Sequence, residues 1–123
     1  AKSTTKALPQ LAGLFDGVAL RVPVITGSIS DITCVLKQSV TVESVNQAFI
    51  DATGNPRWQG IVATTTEPLV SSDIIGRPES AIIDLSLTQV IAGDLVKVFA
   101  WYDNEWGYAN RLLEQVLEVG KSL

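Results

Sequence analysis

The sequence predicts an α+β fold, in which a mostly antiparallel sheet carries about three helices on one face. Several segments alternate apolar and polar residues with a period of two, which is the pattern of half-buried strands. Three other segments contain apolar residues at the spacing of an amphipathic helix. Runs of strands that follow one another through direct hairpins, with only a few helices between them, are typical of α+β domains.

The first part of the chain predicts a short helix and two strands. The helix covers residues 2–11, where Pro9 fits poorly, and a turn follows at Asp16-Gly17. Residues 18–22 and residues 28–37 then alternate as two strands. On the second strand, apolar residues fall on both sides, so that neither face of the strand is wholly polar.

The clearest amphipathic helix of the sequence follows these two strands. Thr41 is a suitable N-cap, because a threonine hydroxyl accepts a hydrogen bond from a free backbone N–H of the first turn. Gly54-Asn55-Pro56 ends the helix. Between these limits, apolar residues recur at helical spacing at positions 42, 45, 48, 49 and 52.

The remaining elements are short strands, one long strand and a final helix. Residues 60–64, 81–85 and 87–91 are predicted as short strands. Residues 95–102 form a longer strand, whose nearly continuous apolar character predicts burial on both faces. A helix over residues 105–119 then closes the domain.

The composition limits what the protein does. With 123 residues, the chain predicts one domain, residues 1–123, and with 46% hydrophobic residues it holds enough apolar material for a core. The net charge of −4 provides no basic field, which excludes nucleic acid and anionic lipid as expected partners. No apolar run is long enough to cross a membrane, and no signal pattern is present. A single cysteine cannot form an internal disulfide, so we expect a reducing, cytoplasmic location.

Most of the common catalytic equipment is missing from the sequence. Without histidine, the chain cannot hold a Ser-His-Asp or Cys-His pair or a histidine metal site, so no catalytic residue and no metal site are predicted. The glycines form neither a GxGxxG nor a GxxxxGK motif. The only thiol, Cys34, lies within a predicted strand and away from any helix N-terminus, so we expect it to be buried and unreactive.

Two features of the sequence remain candidates for binding. Arg21 is the only charged residue between Asp16 and Asp31, and it either pairs with a structural carboxylate, which the pattern alone favours, or faces an anion such as phosphate. Residues 101–108, WYDNEWGY, gather aromatic and hydrogen-bonding groups at a strand-to-helix junction. There, Asp103 or Asn104 either caps the final helix or contributes to a ligand pocket.

The predicted sheet has apolar residues that the helices do not cover. Three helices can cover one side of the sheet, whereas the other side still carries residues such as Val35. Exposed apolar surface of this size usually contacts a partner. We therefore expect the protein to be a homo-oligomer that self-associates through the side of the sheet that the helices leave uncovered.

Three stretches of the sequence resemble one known family. They are LRVP with TGS within residues 20–28, EPLVSSD at residues 67–73, and the run from LVK to WYDNEWGY within residues 95–108. In this order and spacing they resemble the C-terminal part of phosphorylating glyceraldehyde-3-phosphate dehydrogenase, over essentially the whole chain, and the WYDNEWGY block is highly specific. The resemblance implies the α+β catalytic domain of that family, whose sheet packs against a neighbouring subunit's sheet.

The resemblance also implies roles for three residues. Arg21 corresponds to the arginine that binds the phosphate of glyceraldehyde 3-phosphate, so a phosphate or sulfate near it is expected. Asn104 corresponds to the asparagine whose amide hydrogen-bonds the nicotinamide carboxamide, and Tyr108 corresponds to the tyrosine beside the nicotinamide. Cys34 does not correspond to the catalytic cysteine of the family, which leaves the unreactive interpretation in place.

The resemblance covers little more than the last third of the family's chain. The sequence begins, at Ala1-Lys2, just inside a family helix, so the NAD-binding domain and the nucleophilic cysteine with its histidine partner are expected to be missing. The departures from the family pattern are Ile25, where proline is common, and Ser3-Thr4-Thr5 in a helix that is usually rich in alanine and glycine. These departures concern local geometry.

The expected function is therefore that of a catalytic-domain fragment of a glycolytic NAD-dependent oxidoreductase. We expect it to be inactive alone and to bind no NAD, although the parent enzyme uses NAD. Three alternatives stay open: a non-catalytic module that dimerises through its sheet, a segment that complements a separate chain, and a fragment of the related erythrose-4-phosphate dehydrogenase. The choice between NAD and NADP belongs to an acidic residue of the absent domain.

Overall fold

The computed structural model describes residues 2–122. The elements in chain order are α1 (Lys2–Ala7), β1 (Ser28–Val35), α2 (Val42–Thr53), β2 (Val62–Thr65), β3 (Ala81–Asp84), β4 (Gln89–Ile91), β5 (Leu95–Tyr102) and α3 (Trp106–Gly120), with single 3₁₀ turns at Pro9–Leu11, Ser71–Ile74 and Leu85–Leu87. The five strands form one sheet in the order β1-β5-β3-β2, with β4 also paired to β5. β5 pairs antiparallel with β1, β3 and β4, whereas β2 and β3 are parallel. The predicted α+β class with a mostly antiparallel sheet is confirmed.

The N-terminus of α2 has the cap that the sequence predicts. The Thr41 hydroxyl accepts a hydrogen bond from the Ser44 backbone N–H at 3.2 Å, and the Ser44 hydroxyl accepts one from the Thr41 N–H at 2.9 Å. This reciprocal pair satisfies two backbone donors that the first turn of a helix leaves free. The cap therefore fixes where α2 starts.

Part of the core lies between α2 and the centre of the sheet. Val96, Val98 and Ala100 alternate along β5 and are buried. From α2, the ring of Phe49 packs against a buried cluster that includes Ile83 and Ala100. This packing joins the first half of the chain to the two central strands, because the apolar face of an amphipathic helix is stabilised when the sheet removes it from water.

One predicted strand, residues 18–22, is absent from the structure. The segment lies at the surface, where Val18 is 90% exposed and Leu20 is 85% exposed. Its residues alternate with a period of two, but a strand also needs a neighbour for its backbone hydrogen bonds, and none of the described strands pairs with it. The prediction of a strand at residues 18–22 is therefore wrong.

At the end of α1 and at the start of β4, the boundary differs from the prediction because a 3₁₀ turn replaces part of the predicted element. Pro9 starts a 3₁₀ turn, so α1 ends at Ala7 instead of continuing to residue 11. Asp84 accepts a hydrogen bond from the Ser86 N–H at 3.2 Å, which begins another 3₁₀ turn. As a result β4 starts at Gln89. Ala1, at which the sequence begins, lies outside the described residues.

The two faces of the sheet differ in what covers them. α2 packs against β2, at the opposite edge of the sheet from β1. On the face away from α2, Ile29 (43%), Val35 (72%) and Ile91 (57%) are exposed. An ion pair between Lys97 and Asp31, at 2.8 Å, joins β5 to β1 on this face. We call the face with these apolar residues the open sheet face.

The position of Cys34 corrects a second expectation. Cys34 lies on β1 and is exposed, not buried. The reason is that β1 is an edge strand, whereas α2 packs against β2 at the opposite edge of the sheet.

Among residues 2–122, no helix has the length and hydropathy needed to cross a membrane.

Candidate active-site surface at the strand-to-helix junction

The chain segments that carry the sequence motifs meet at one end of the sheet. Gly27 lies against the backbone of Ser71, where a Cβ on Gly27 would be in ordinary contact, 3.4 Å from the Ser71 carbonyl oxygen. Its φ of +89° is a backbone conformation that glycine adopts at little cost. The start of β1 is thereby held against the turn at residues 71–74.

Asp103 joins this turn region to the junction between β5 and α3. Its Oδ2 accepts a hydrogen bond from the Gly76 N–H at 2.9 Å, and its Oδ1 accepts two more, from the N–H groups of Glu105 and Trp106, each at 2.9 Å. Asp103 is 4% exposed. The backbone N–H groups of Trp106, Gly76 and Glu105 stabilise the carboxylate and hold the pKa of Asp103 below its ordinary value, although burial works in the opposite direction. Of the two capping candidates, Asp103 therefore caps α3.

The first turn of α3 packs closely on the segment before β3. A Cβ on Gly107 would lie 3.0 Å from the Glu79 carbonyl oxygen, which is too close for most side chains. Glu79 in turn pairs with Arg77 at 2.9 Å, and this ion pair lowers the pKa of Glu79. Gly107 therefore permits the approach that sets the start of α3 against the sheet.

Asn104 lies on the exposed side of this junction. The hydroxyl of Ser28, the first residue of β1, donates a hydrogen bond to Asn104 Oδ1 at 3.2 Å. Within residues 2–122, the Nδ2 group of Asn104 has no hydrogen-bond partner. The side chain thus presents its two N–H donors outward while its oxygen is engaged.

Tyr108 and Arg21 are exposed as well, but the structure relates them differently to Asn104. Tyr108 is 69% exposed and lies in the first turn of α3, directly after the junction. Arg21 lies in the surface segment before β1, where no hydrogen bond or ion pair joins it to another residue of the described part. The structural pairing that the pattern favoured for Arg21 is therefore not present. The structure brings Asn104 and Tyr108 to one junction, and among the described residues no hydrogen bond or ion pair links Arg21 to them.

Two surface cavities formed by the described residues lie away from Arg21, Asn104 and Tyr108. One is apolar, has a volume of about 350 Å³, and lies between α2 and the strands β2 and β3. The other, of about 340 Å³, is lined mainly by residues 64–67 together with Arg77. In residues 2–122, no cluster of three or more histidine, cysteine, aspartate or glutamate side chains is arranged to hold a metal ion.

Ser28 is a residue of this surface that the sequence did not single out. It belongs to the TGS motif, but nothing in the pattern shows which residue it faces. The antiparallel register places Ser28 opposite Tyr102, two residues before Asn104. Only a known strand pairing would have identified the contact, because the two residues are 76 positions apart.

Comparison with known proteins agrees with this arrangement of motifs. Residues 1–104 match the family described as glyceraldehyde 3-phosphate dehydrogenase, C-terminal domain. All of the chain aligns with glyceraldehyde-3-phosphate dehydrogenase of Streptomyces coelicolor, at 49% identity over 123 residues that make up 37% of that protein. The same protein of Mycobacterium leprae is 50% identical over 123 residues, or 36% of its length. The chain thus spans little more than a third of these relatives, and it belongs to the glyceraldehyde-3-phosphate dehydrogenase family as a C-terminal domain.

Proposed function

We propose that the chain supplies the phosphate-binding and nicotinamide-binding surface of the catalytic domain in an NAD-dependent, phosphorylating glyceraldehyde-3-phosphate dehydrogenase. The observation that carries the proposal is the junction at Asn104, where a buried carboxylate fixes the backbone and leaves a side-chain amide exposed with free donors. The N–H donors of such a fixed, outward-facing amide can form hydrogen bonds with a planar polar group of a ligand. The similarity of the whole chain to dehydrogenases supports this choice of ligand.

Arg21 is proposed to bind the phosphate of the substrate. Its guanidinium is exposed and has no carboxylate partner in the described residues, so its five N–H donors are available. A planar guanidinium binds two phosphate oxygens at once, which a lysine ammonium does not do. A phosphate or sulfate ion is therefore expected to bind this chain near Arg21.

The residues at the junction fit the nicotinamide end of a cofactor. The free Nδ2 group of Asn104 is a donor for the carboxamide oxygen, and the exposed ring of Tyr108 offers an apolar surface beside it. When bound, NAD accepts the hydride that leaves the substrate. Asn104 would hold the carboxamide and so select the face of the ring that is presented, while Tyr108 would limit the access of water.

The chain is proposed to be inactive alone and to bind no NAD by itself. The reaction of the family needs an activated thiolate and a base, and this sequence contains no histidine. Cys34 lies on an edge strand, and none of the described residues forms a hydrogen bond or ion pair that would activate it. The exposed free thiol fits a reducing compartment, which supports a cytoplasmic location.

The last helix indicates that further protein covers part of this surface. Four aliphatic side chains on α3 are each more than half exposed. They are Leu112 (51%), Leu113 (59%), Val116 (60%) and Leu117 (58%). A helix with such an apolar face is stabilised by burial against a neighbour, which supports the proposal that this domain acts together with the rest of a dehydrogenase.

A chimera tests the proposed function. The 123 residues would replace the matching segment of the Streptomyces coelicolor relative, which retains its own N-terminal two thirds. We expect the chimera to reduce NAD with glyceraldehyde 3-phosphate and phosphate at a kcat/KM within about tenfold of the parent enzyme. The isolated chain is expected to show no turnover in the same assay.

The controls separate the alternatives. Erythrose 4-phosphate is assayed alongside, and a preference for it in the chimera but not in the parent would assign the chain to the related dehydrogenase. A well-folded chimera without activity toward either aldehyde would contradict the proposed function. It would leave the non-catalytic sheet-mediated module as the better interpretation.

We further propose that the chain forms a homo-oligomer through the open sheet face. In Val35→Lys, a charge is placed on that face at a position already 72% exposed, so the fold is retained while association is weakened. Sedimentation equilibrium is expected to give a dimer for the unsubstituted chain and a monomer for the variant. Val18→Lys, at a residue 90% exposed and away from the sheet, is the matched control. A chain that is monomeric at every concentration would contradict the proposal.

A further inference from the structure

The contact between Ser28 and Asn104 links two distant parts of the chain. Ser28 begins β1, and the β1–β5 register holds it opposite Tyr102. Its hydroxyl donates to Asn104 Oδ1 at 3.2 Å, and it is half-buried. Asp103 fixes the backbone at the junction, but its hydrogen bonds go to backbone N–H groups and none of them reaches the Asn104 side chain. Among the described residues, the Asn104 amide is therefore restrained by the Ser28 hydroxyl.

The direction of this hydrogen bond matters because the two ends of a carboxamide have nearly the same shape. Rotation by half a turn exchanges an acceptor oxygen for a group with two donors. Ser28 has one hydroxyl hydrogen, and within residues 2–122 Asn104 Oδ1 is the acceptor to which it donates. If the amide were reversed, the Ser28 oxygen would accept from Nδ2, and the hydroxyl hydrogen would lose that acceptor. In the orientation that the structure shows, the Ser28 hydroxyl engages Oδ1 and leaves the Nδ2 donors free to face outward.

We propose that Ser28 is a positioning residue for Asn104, which sets the orientation of the side-chain amide so that its N–H donors face the cofactor carboxamide. This inference rests on the proposed role of Asn104 in binding the nicotinamide. Ser28 does not touch the reacting atoms, and its effect reaches the cofactor through Asn104 alone. Its removal therefore acts on cofactor binding more than on the chemical step.

Three variants test the proposal. Ser28→Ala removes the donor, Ser28→Thr keeps a hydroxyl at the same place, and Ser30→Ala is the matched control. Ser30 lies on the same strand and the same side of it, is also half-buried, and forms no side-chain hydrogen bond among the described residues. All three variants are made in the isolated chain and in the chimera.

In the isolated chain, the measurement is the NMR order parameter of the Asn104 side-chain amide. We expect a value of about 0.8 in the unsubstituted chain, a fall below about 0.6 in Ser28→Ala, and recovery in Ser28→Thr. Ser30→Ala is expected to leave the value unchanged. Backbone amide spectra show in each case that the variant is folded. An unchanged Asn104 amide in folded Ser28→Ala overturns the proposal.

In the chimera, the measurement is the split between KM and kcat. Ser28→Ala is expected to raise the KM for NAD about fivefold, while kcat stays within about twofold. A fivefold change corresponds to the net free energy of one ordinary hydrogen bond. Ser28→Thr is expected to restore the KM. A KM for NAD that does not respond to Ser28→Ala overturns the proposal. If the unsubstituted chimera shows no turnover, the proposed function fails, and the order parameter in the isolated chain alone decides for or against Ser28.

Discussion

Arg21→Ala in the chimera is expected to lower kcat/KM for glyceraldehyde 3-phosphate about 100-fold. The guanidinium is exposed and has no partner in the described residues, so its removal leaves no buried carboxylate unpaired and does not destabilise the fold. What is lost is charge-assisted hydrogen bonding to the substrate phosphate, which contributes about 2.7 kcal/mol when two such bonds are made. Steady-state kinetics over a range of aldehyde concentrations measures the effect.

Two control variants show whether the effect comes from the phosphate contact. Arg21→Lys keeps the positive charge but not the planar fork, so an intermediate loss is expected. Arg57→Ala removes another surface arginine, which stacks 5.0 Å from the centre of the Trp58 ring, and it is expected to leave kcat/KM unchanged. Equal effects of Arg21→Ala and Arg57→Ala would indicate a general loss of positive charge and would contradict a specific role for Arg21.

Asp103→Asn is expected to lower the free energy of unfolding of the isolated chain by about 3 kcal/mol at pH 7. The substitution changes the shape little, but three backbone N–H groups surround the carboxylate. Asparagine retains the oxygen that faces Glu105 and Trp106, whereas its NH₂ group replaces the oxygen that accepts from Gly76. Two donors then face each other in a buried position, and the Gly76 N–H is left without an acceptor.

The same residue predicts how stability depends on pH. Backbone hydrogen bonds lower the pKa of Asp103 in the folded chain below its value in the unfolded chain, which is about 3.9. A group of this kind stabilises the fold fully above its unfolded pKa, and the contribution is lost as the pH falls through the folded pKa. Urea unfolding should therefore show a smaller difference between the chain and Asp103→Asn at pH 3 than at pH 7.

Asp73→Asn is the matched control for this experiment. Asp73 also accepts a backbone hydrogen bond, from the Val70 N–H at 2.8 Å, but it is exposed, so water can replace the lost partner. We expect a loss of less than about 1 kcal/mol. If Asp73→Asn and Asp103→Asn destabilised the chain equally, the junction at Asp103 would not be the buried anchor that the structure describes.

The parts of the fold that were predictable from the sequence are those in which local pattern and burial agree. β5 occupies residues 95–102 as predicted, because its apolar run is long and it pairs with neighbours on both sides. The start of α2 was predictable because its cap lies within four residues of sequence. The final helix also follows its pattern to within one residue at each end.

The errors arise where a property depends on a distant part of the chain. Residues 18–22 alternate like a strand, but whether a strand forms depends on a neighbour that the described residues do not supply. Cys34 was expected to be buried, yet its burial depends on which edge of the sheet α2 covers. The parallel pairing of β2 with β3 was likewise not predicted, since no local signal distinguishes it.

The candidate site shows the same division. The WYDNEWGY segment was recognised as a junction with a capping acid, and Asp103 fills that role. The roles of Arg21, Asn104 and Tyr108 came from the family resemblance, because residue type alone left each of them open. Ser28 was missed, since its importance depends on a strand register that no local pattern reveals.

The most direct test of the whole account is a crystal structure of the chimera with NAD bound. It should show Asn104 Nδ2 about 2.9 Å from the carboxamide oxygen of the nicotinamide. The Ser28 hydroxyl should still donate a hydrogen bond to Asn104 Oδ1, and a phosphate or sulfate ion should be bound to the Arg21 guanidinium. A nicotinamide that is bound without contact to Asn104, in a chimera that turns over, would contradict the assignment of this surface.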